Sequence, residues 1–137
     1  MKAIGCILIA AALWGCGPSG PGTDPALDLL GDVVRVVQLA EVEVEIWNEE
    51  VEPLRPSLAE VAAARKLYEA PRPTGLEVRA IRDRVERLVS SLPRRSSEEV
   101  LRELSLELDR ANNAVSAYRG PRNHLLAMAE KRASENR

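Results

Sequence analysis

The sequence has no phenylalanine, and its two tryptophans and two tyrosines leave aromatics at 3% of 137 residues. The core is therefore expected to be Leu, Val and Ala, with Trp47, Tyr68 and Tyr118 as its only large rings. One histidine and two cysteines exclude a zinc ribbon or a disulfide scaffold. Eight glycines and nine prolines, without a repeat, exclude a collagen-like or mucin-like chain. An excess of positive charge is also lacking: 19 basic residues face 21 acidic ones, which excludes a strongly basic nucleic-acid-binding domain. Long apolar runs are missing as well. The longest, Ile4 to Trp14, spans 11 residues, whereas a stable membrane-crossing helix needs about 20.

That short run has the length of a secretory h-region, preceded by Lys2 as a minimal basic n-region. It ends in Leu13-Trp14-Gly15-Cys16. This ending resembles the lipobox of bacterial lipoproteins: an aliphatic residue, a small residue just before the cut, then cysteine. Trp14 is bulkier than the residue the family usually carries there. The resemblance covers the leader alone. It implies that Cys16 receives a diacylglyceryl group, that residues 1–15 are removed as a signal peptide, and that the new amine can take a further acyl chain such as palmitate. It also implies a cell-envelope location, with Gly17 rather than Asp after the cysteine favouring the outer membrane, facing the periplasm, over the inner one. Two or more acyl chains anchor a protein firmly. With Cys16 lipidated no disulfide can form, so packing alone must hold the fold.

Residues 17–24 are rich in Gly and Pro and read as a flexible spacer, reaching about 26–29 Å when extended. From residue 25 onward, apolar residues recur at steps of three and four. Asp24-Pro25 opens the first helix as N-cap and first-turn proline. Its stripe runs Leu30, Val33, Val37, Ala40, Val44, Trp47, Val51, Leu54, with Pro53 ending or kinking it. Ser57 with Glu60, Thr74 with Glu77, and Ser96 with Glu99 read as three capping boxes. They open stripes through Leu58, Val61, Ala64 and Tyr68, through Val78, Ile81, Val85, Leu88 and Leu92, and through Leu101, Leu104, Leu108, Ala111, Val115 and Tyr118. Pro93 stops the third helix. Gly120-Pro121 reads as a stop, followed by a weaker tail helix. The alternating segments 40–46 and 103–109 carry a strand signal, but each lies within a longer 3-4 stripe of good helix formers. The expectation is an all-α antiparallel bundle of about four main helices plus a weak C-terminal helix, occupying residues 25–137. Coiled-coil-like stripes of this kind can also close between chains.

Chemistry is sparse. Once Cys16 is lipidated there is no free thiol, and there is no Gly-rich phosphate loop, Gly-x-Ser-x-Gly or His-Glu-x-x-His. His124 has no acid nearby in sequence to orient it. The expectation is a protein that is not an enzyme, with no cofactor, no metal and no nucleic-acid partner. The acidic group Glu41, Glu43, Glu45, Glu49, Glu50 and Glu52 reads as a solvated face, because a straight helix offers too few converging oxygens for calcium. Residues 24–52 carry nine acids and one Arg, and residues 76–95 six Arg and three acids. The two helices are therefore expected side by side with complementary rims. Asn112, at the edge of the fourth stripe, is a candidate for fixing helix register. Helix 1 is apolar on a second side, at Leu39, Val42 and Ile46 with Val36 between. This face is either core or a docking surface.

Two readings follow. One is a non-enzymatic lipoprotein, tethered to membrane through Cys16, that binds or positions an envelope protein or a second copy of itself through Leu39, Val42 and Ile46. Small helical lipoproteins of the pilotin kind offer an analogy of size and location. The alternative is a periplasmic carrier holding an apolar ligand between helices, beside Ala40, Ala64 and Ala111.

Overall fold

A computed structural model describes residues 25–92 and 94–137. Cys16, the leader, the spacer 17–24, the Asp24 cap and Pro93 lie outside the described residues. Among the described residues four α-helices make up the fold: α1 (Pro25–Ile46), α2 (Ala62–Glu69), α3 (Gly75–Ser91) and α4 (Ser97–Glu135). Among the described residues there is no strand, and the alternating segments 40–46 and 103–109 are helical.

α1 begins at Pro25 and buries Leu30, Val33, Val37 and Ala40 along the expected stripe. It changes pitch before Pro53. Residues Trp47–Val51 form a π-helical turn, closed by the Glu52 N–H on the Trp47 carbonyl, and a 3₁₀ turn Glu52–Leu54 follows. Pro53 has no N–H to give and its ring crowds the carbonyl four residues back. Widening the preceding turn accommodates it while keeping both Trp47 and Val51 buried.

The three capping boxes fare differently. Thr74 and Glu77 form a complete one at the head of α3: the Glu77 N–H donates to Thr74 Oγ1 at 3.1 Å and the Thr74 N–H to Glu77 Oε2 at 2.6 Å. At α4 the Glu99 N–H donates to Ser96 Oγ, but the Glu99 carboxylate turns to Arg95 at 3.5 Å. Ser57 caps nothing. Pro56 starts a 3₁₀ turn (Pro56–Leu58) that takes in Ser57, so its backbone lacks the extended conformation an N-cap needs. Its hydroxyl donates instead to the Leu54 carbonyl, and α2 starts later, behind an uncapped Val61.

Gly120-Pro121 does not stop α4, which runs 39 residues with Pro121 inside it, or about 58 Å. The weak tail helix is thus the second half of α4. An internal proline costs about 3 kcal/mol in an unsupported helix. Here tertiary contacts bracket it: Tyr118 and Leu125 are buried on either side, and Arg119 and Arg122 both pair with Glu43.

The long α4 is a spine with two cores along it. In the first, α1 and α3 pack on its N-terminal half around Val33, Val37, Val78, Val85, Val100 and Leu104. A Cβ on Gly75 would touch Val44, so α3 starts beside the end of α1 and runs antiparallel to it. α4 then returns parallel to α1, with Arg119 and Arg122 at the level of Glu43. The second core gathers Trp47, Val51, Leu58, Ala64, Tyr68, Tyr118 and Leu125 beyond the end of α1. Trp47 meets Tyr68 and Tyr118 edge-on, with ring centroids 5.8 and 5.7 Å away. Every polar tip finds an acceptor: Trp47 Nε1 donates to Glu52, Tyr68 to the Val51 carbonyl and Tyr118 to the Pro73 carbonyl. Rings with satisfied polar tips suit a buried junction.

Candidate interaction surfaces

Two carboxylates sit in the cores. Glu43 is 3% exposed and Glu107 4%. Both occupy helical core registers: Val33, Val36, Ala40, Glu43, Trp47 on α1, and Val100, Leu104, Glu107, Ala111, Ala114, Tyr118 on α4. On α4 the buried seam is therefore one residue earlier at Val100 and Glu107 than the expected Leu101 and Leu108, which are half-buried. Each carboxylate is held by two arginines. Glu43 meets Arg119 at 3.0 Å and Arg122 at 2.8 Å. Glu107 Oε1 accepts from Arg84 Nε at 2.8 Å and from Arg110, while Glu107 Oε2 is buried with no hydrogen-bond partner. Glu43 ties α1 to α4, and Glu107 ties α4 to α3. Removing the arginines from either site would leave a buried carboxylate uncompensated. Asn112, the residue expected to fix register, is exposed.

The acidic face is only partly solvated. Glu45, Glu49 and Glu50 are exposed, whereas Glu43 is core. Glu41 is half-buried against Arg82 at 3.6 Å, and desolvation raises its pKa above the ordinary carboxylate range. That contact realises the complementary α1–α3 rims. Hydrogen bonding from Arg55 holds the Glu52 pKa below the ordinary range, with the Trp47 indole adding to the effect. His124 is exposed in the C-terminal third of α4.

The second apolar side of α1 divides. Val36 belongs to the core at 8% exposed, Ile46 is half-buried, and Leu39 and Val42 are 40% and 38% exposed. Ala40, Ala64 and Ala111 are fully buried and line none of the surface clefts described here.

Five arginines line two clefts on the α3–α4 side. A cleft of about 600 Å³ opens between α3, α4 and the Pro71–Pro73 connection, with Arg72, Arg84, Arg110 and Asn113 on its walls. A neighbouring cleft of about 540 Å³ shares Arg84 and Arg110 and adds Arg87 and Arg95. Arg72 is immobilised: its guanidinium lies 3.8 Å over the Trp47 ring and donates to the Leu67 and Tyr68 carbonyls. Burial lowers its pKa from the ordinary arginine value. Sequence periodicity does not reveal this grouping, because Arg72 lies in a proline-rich connection and Arg84 and Arg110 converge through Glu107.

Among the described residues no helix is long and apolar enough to cross a membrane. The chain matches no protein-family model, and no curated protein or solved structure matches it either.

Proposed function

We propose that this protein is a bacterial lipoprotein of the cell envelope, held at the membrane through lipid on Cys16, whose helical bundle acts as a non-enzymatic adaptor for an envelope protein. The leader ending in Leu13-Trp14-Gly15-Cys16 supports the tether. The adaptor reading is carried by Leu39 and Val42, large apolar side chains about 40% exposed within one turn of a helix whose other side is core. Glu45 and Glu49 lie beside them in the open, so the face suits a partner that is apolar with a basic rim. A tether to the outer membrane, facing the periplasm, raises the module's effective concentration near partners there.

The test has two arms. Labelling with palmitate should mark the wild type and not Cys16→Ser. Crosslinking in whole cells, followed by mild detergent extraction, should capture one stoichiometric partner that Cys16→Ser weakens. Val42→Lys should abolish that capture while leaving the helical circular dichroism and melting transition unchanged. An unlabelled wild type refutes the tether. A Val42→Lys variant that unfolds makes the face core, and capture that survives a folded Val42→Lys removes the face from the interface.

A further inference from the structure

We infer that the α3–α4 cleft is a binding site for an amphiphilic oxyanion, a phosphate or carboxylate head carrying a short apolar body. The inference is independent of the lipid tether. The cleft brings three guanidinium groups together with one lining carboxylate, Glu77, while a second, Glu107, lies behind two of them. Glu77 closes the cap on Thr74, and Glu107 lies beneath Arg84 and Arg110. Arg84 spends only its Nε on Glu107, and Arg110 only its Nη1. The terminal nitrogens of Arg84, and Nε and Nη2 of Arg110, keep their donors for a ligand. Such planar forks match phosphate and carboxylate oxygens.

These cations are also preorganised. Arg72 is fixed by Trp47 and two carbonyls, and Arg84 is fixed by a buried carboxylate. Side chains already held in place lose little freedom on binding. Apart from Asn113, the rest of the cleft is apolar, formed by Pro71, Pro73, Ala80 and the edge of Ile81. A bare inorganic ion would leave that surface wet, whereas an alkyl or acyl body covers it. The volume of about 600 Å³ lies within the usual range for small-molecule sites. The same head-and-body chemistry occurs in a phospholipid at a bilayer surface and in a free metabolite.

The purified full chain, kept in one nonionic detergent throughout, is titrated calorimetrically with hexyl phosphate, inorganic phosphate and hexanol. Hexyl phosphate should bind at one site per chain, inorganic phosphate at least about tenfold more weakly, and hexanol not measurably. Arg110→Gln leaves Glu107 its Arg84 partner and should weaken hexyl phosphate about tenfold, the effect of removing one charged bidentate contact. Ala80→Glu, at a half-buried helical position, sets a carboxylate in the cleft and should weaken it at least as much; its unchanged melting curve separates this from misfolding. Hexanol binding as well as hexyl phosphate overturns the proposal, as does binding that ignores both substitutions. Phosphatidylglycerol in mixed micelles of the same detergent that displaces hexyl phosphate, where phosphatidylcholine does not, assigns the site to a lipid headgroup. Binding of hexyl phosphate that both lipids leave untouched assigns it to a free anion.

Discussion

Replacing Glu107 by leucine should stabilise the protein, although it removes two ion pairs. The side chain is 4% exposed in a seam otherwise made of Val100, Leu104, Ala111 and Ala114. Its Oε2 has no partner, a burial cost of about 1–3 kcal/mol. Burying a leucine there contributes about 2 kcal/mol. Against these stand the two contacts to arginine. The Arg84 and Arg110 side chains are 37% and 53% exposed, so water solvates them when Glu107 is gone, and this screening reduces each lost charge-assisted bond from about 1.5–3 kcal/mol to about 1–1.5 kcal/mol. The balance favours Glu107→Leu by about 1–2 kcal/mol. The opposite change, Arg84→Ala with Arg110→Ala, strands a buried carboxylate and should cost about 3–5 kcal/mol. Urea unfolding followed by circular dichroism measures both, and equal slopes would show that the unfolded states are comparable. A loss of more than about 1 kcal/mol in Glu107→Leu would refute the reasoning, as would an arginine double variant of wild-type stability.

Gly120→Ala should raise stability by about 1 kcal/mol, because the position is helical and exposed and an added Cβ meets nothing within 4 Å; an unchanged urea midpoint would mean that α4 is interrupted there. Thr74→Ala should cost about 1 kcal/mol through the lost capping box, while Ser57→Ala, which caps nothing, should change the stability by less than about 0.5 kcal/mol. Acid titration should perturb Trp47, whose indole donates to Glu52. The Glu52 pKa is lowered in the fold, so its contribution is complete above the ordinary carboxylate pKa and disappears as pH falls through the lower folded value. Trp47 fluorescence followed downward from neutral pH should show this step, and Glu52→Gln should remove it.

Sequence made the helices legible because 3-4 periodicity reports burial directly. The stripes of α1, α2 and α3 are buried or half-buried where expected, and Trp47, Tyr68 and Tyr118 form the large-ring cluster. Punctuation was less legible, because the same residue acts differently under tertiary load. Pro53 reshapes its helix into a π turn, and Pro121 is carried through by Tyr118, Leu125 and the Glu43 arginines. Ser57 loses its capping role to a proline next to it. Counting only apolar residues hid Glu43 and Glu107, although both fall in core register on their stripes. The signal was available in the arginines: four of the sixteen serve those two acids. The α3–α4 cleft was not legible at all, since it depends on residues from three segments meeting in space.

The two surfaces singled out here lie on different sides of the first core, and this makes them separable. Leu39 and Val42 belong to α1, whereas no lining residue of the arginine cleft comes from α1. Between them stands a core of Val33, Val37, Val85 and Leu104, with no shared hydrogen-bond partner. Substitutions at distant sites without common partners act additively. A Val42→Lys, Arg110→Gln double variant should therefore lose partner capture by the full Val42→Lys effect and anion binding by the full Arg110→Gln effect, each unchanged by the other. If hexyl phosphate instead alters partner capture by the wild type, the two sites are coupled, and linkage requires the partner to alter hexyl phosphate affinity by the same factor. The rigid element available to carry such coupling is α4, because Glu107 binds it to α3 and Glu43 binds it to α1. Glu107→Leu would then abolish the coupling and, because Glu107 also fixes Arg84 in the cleft, weaken hexyl phosphate binding as well.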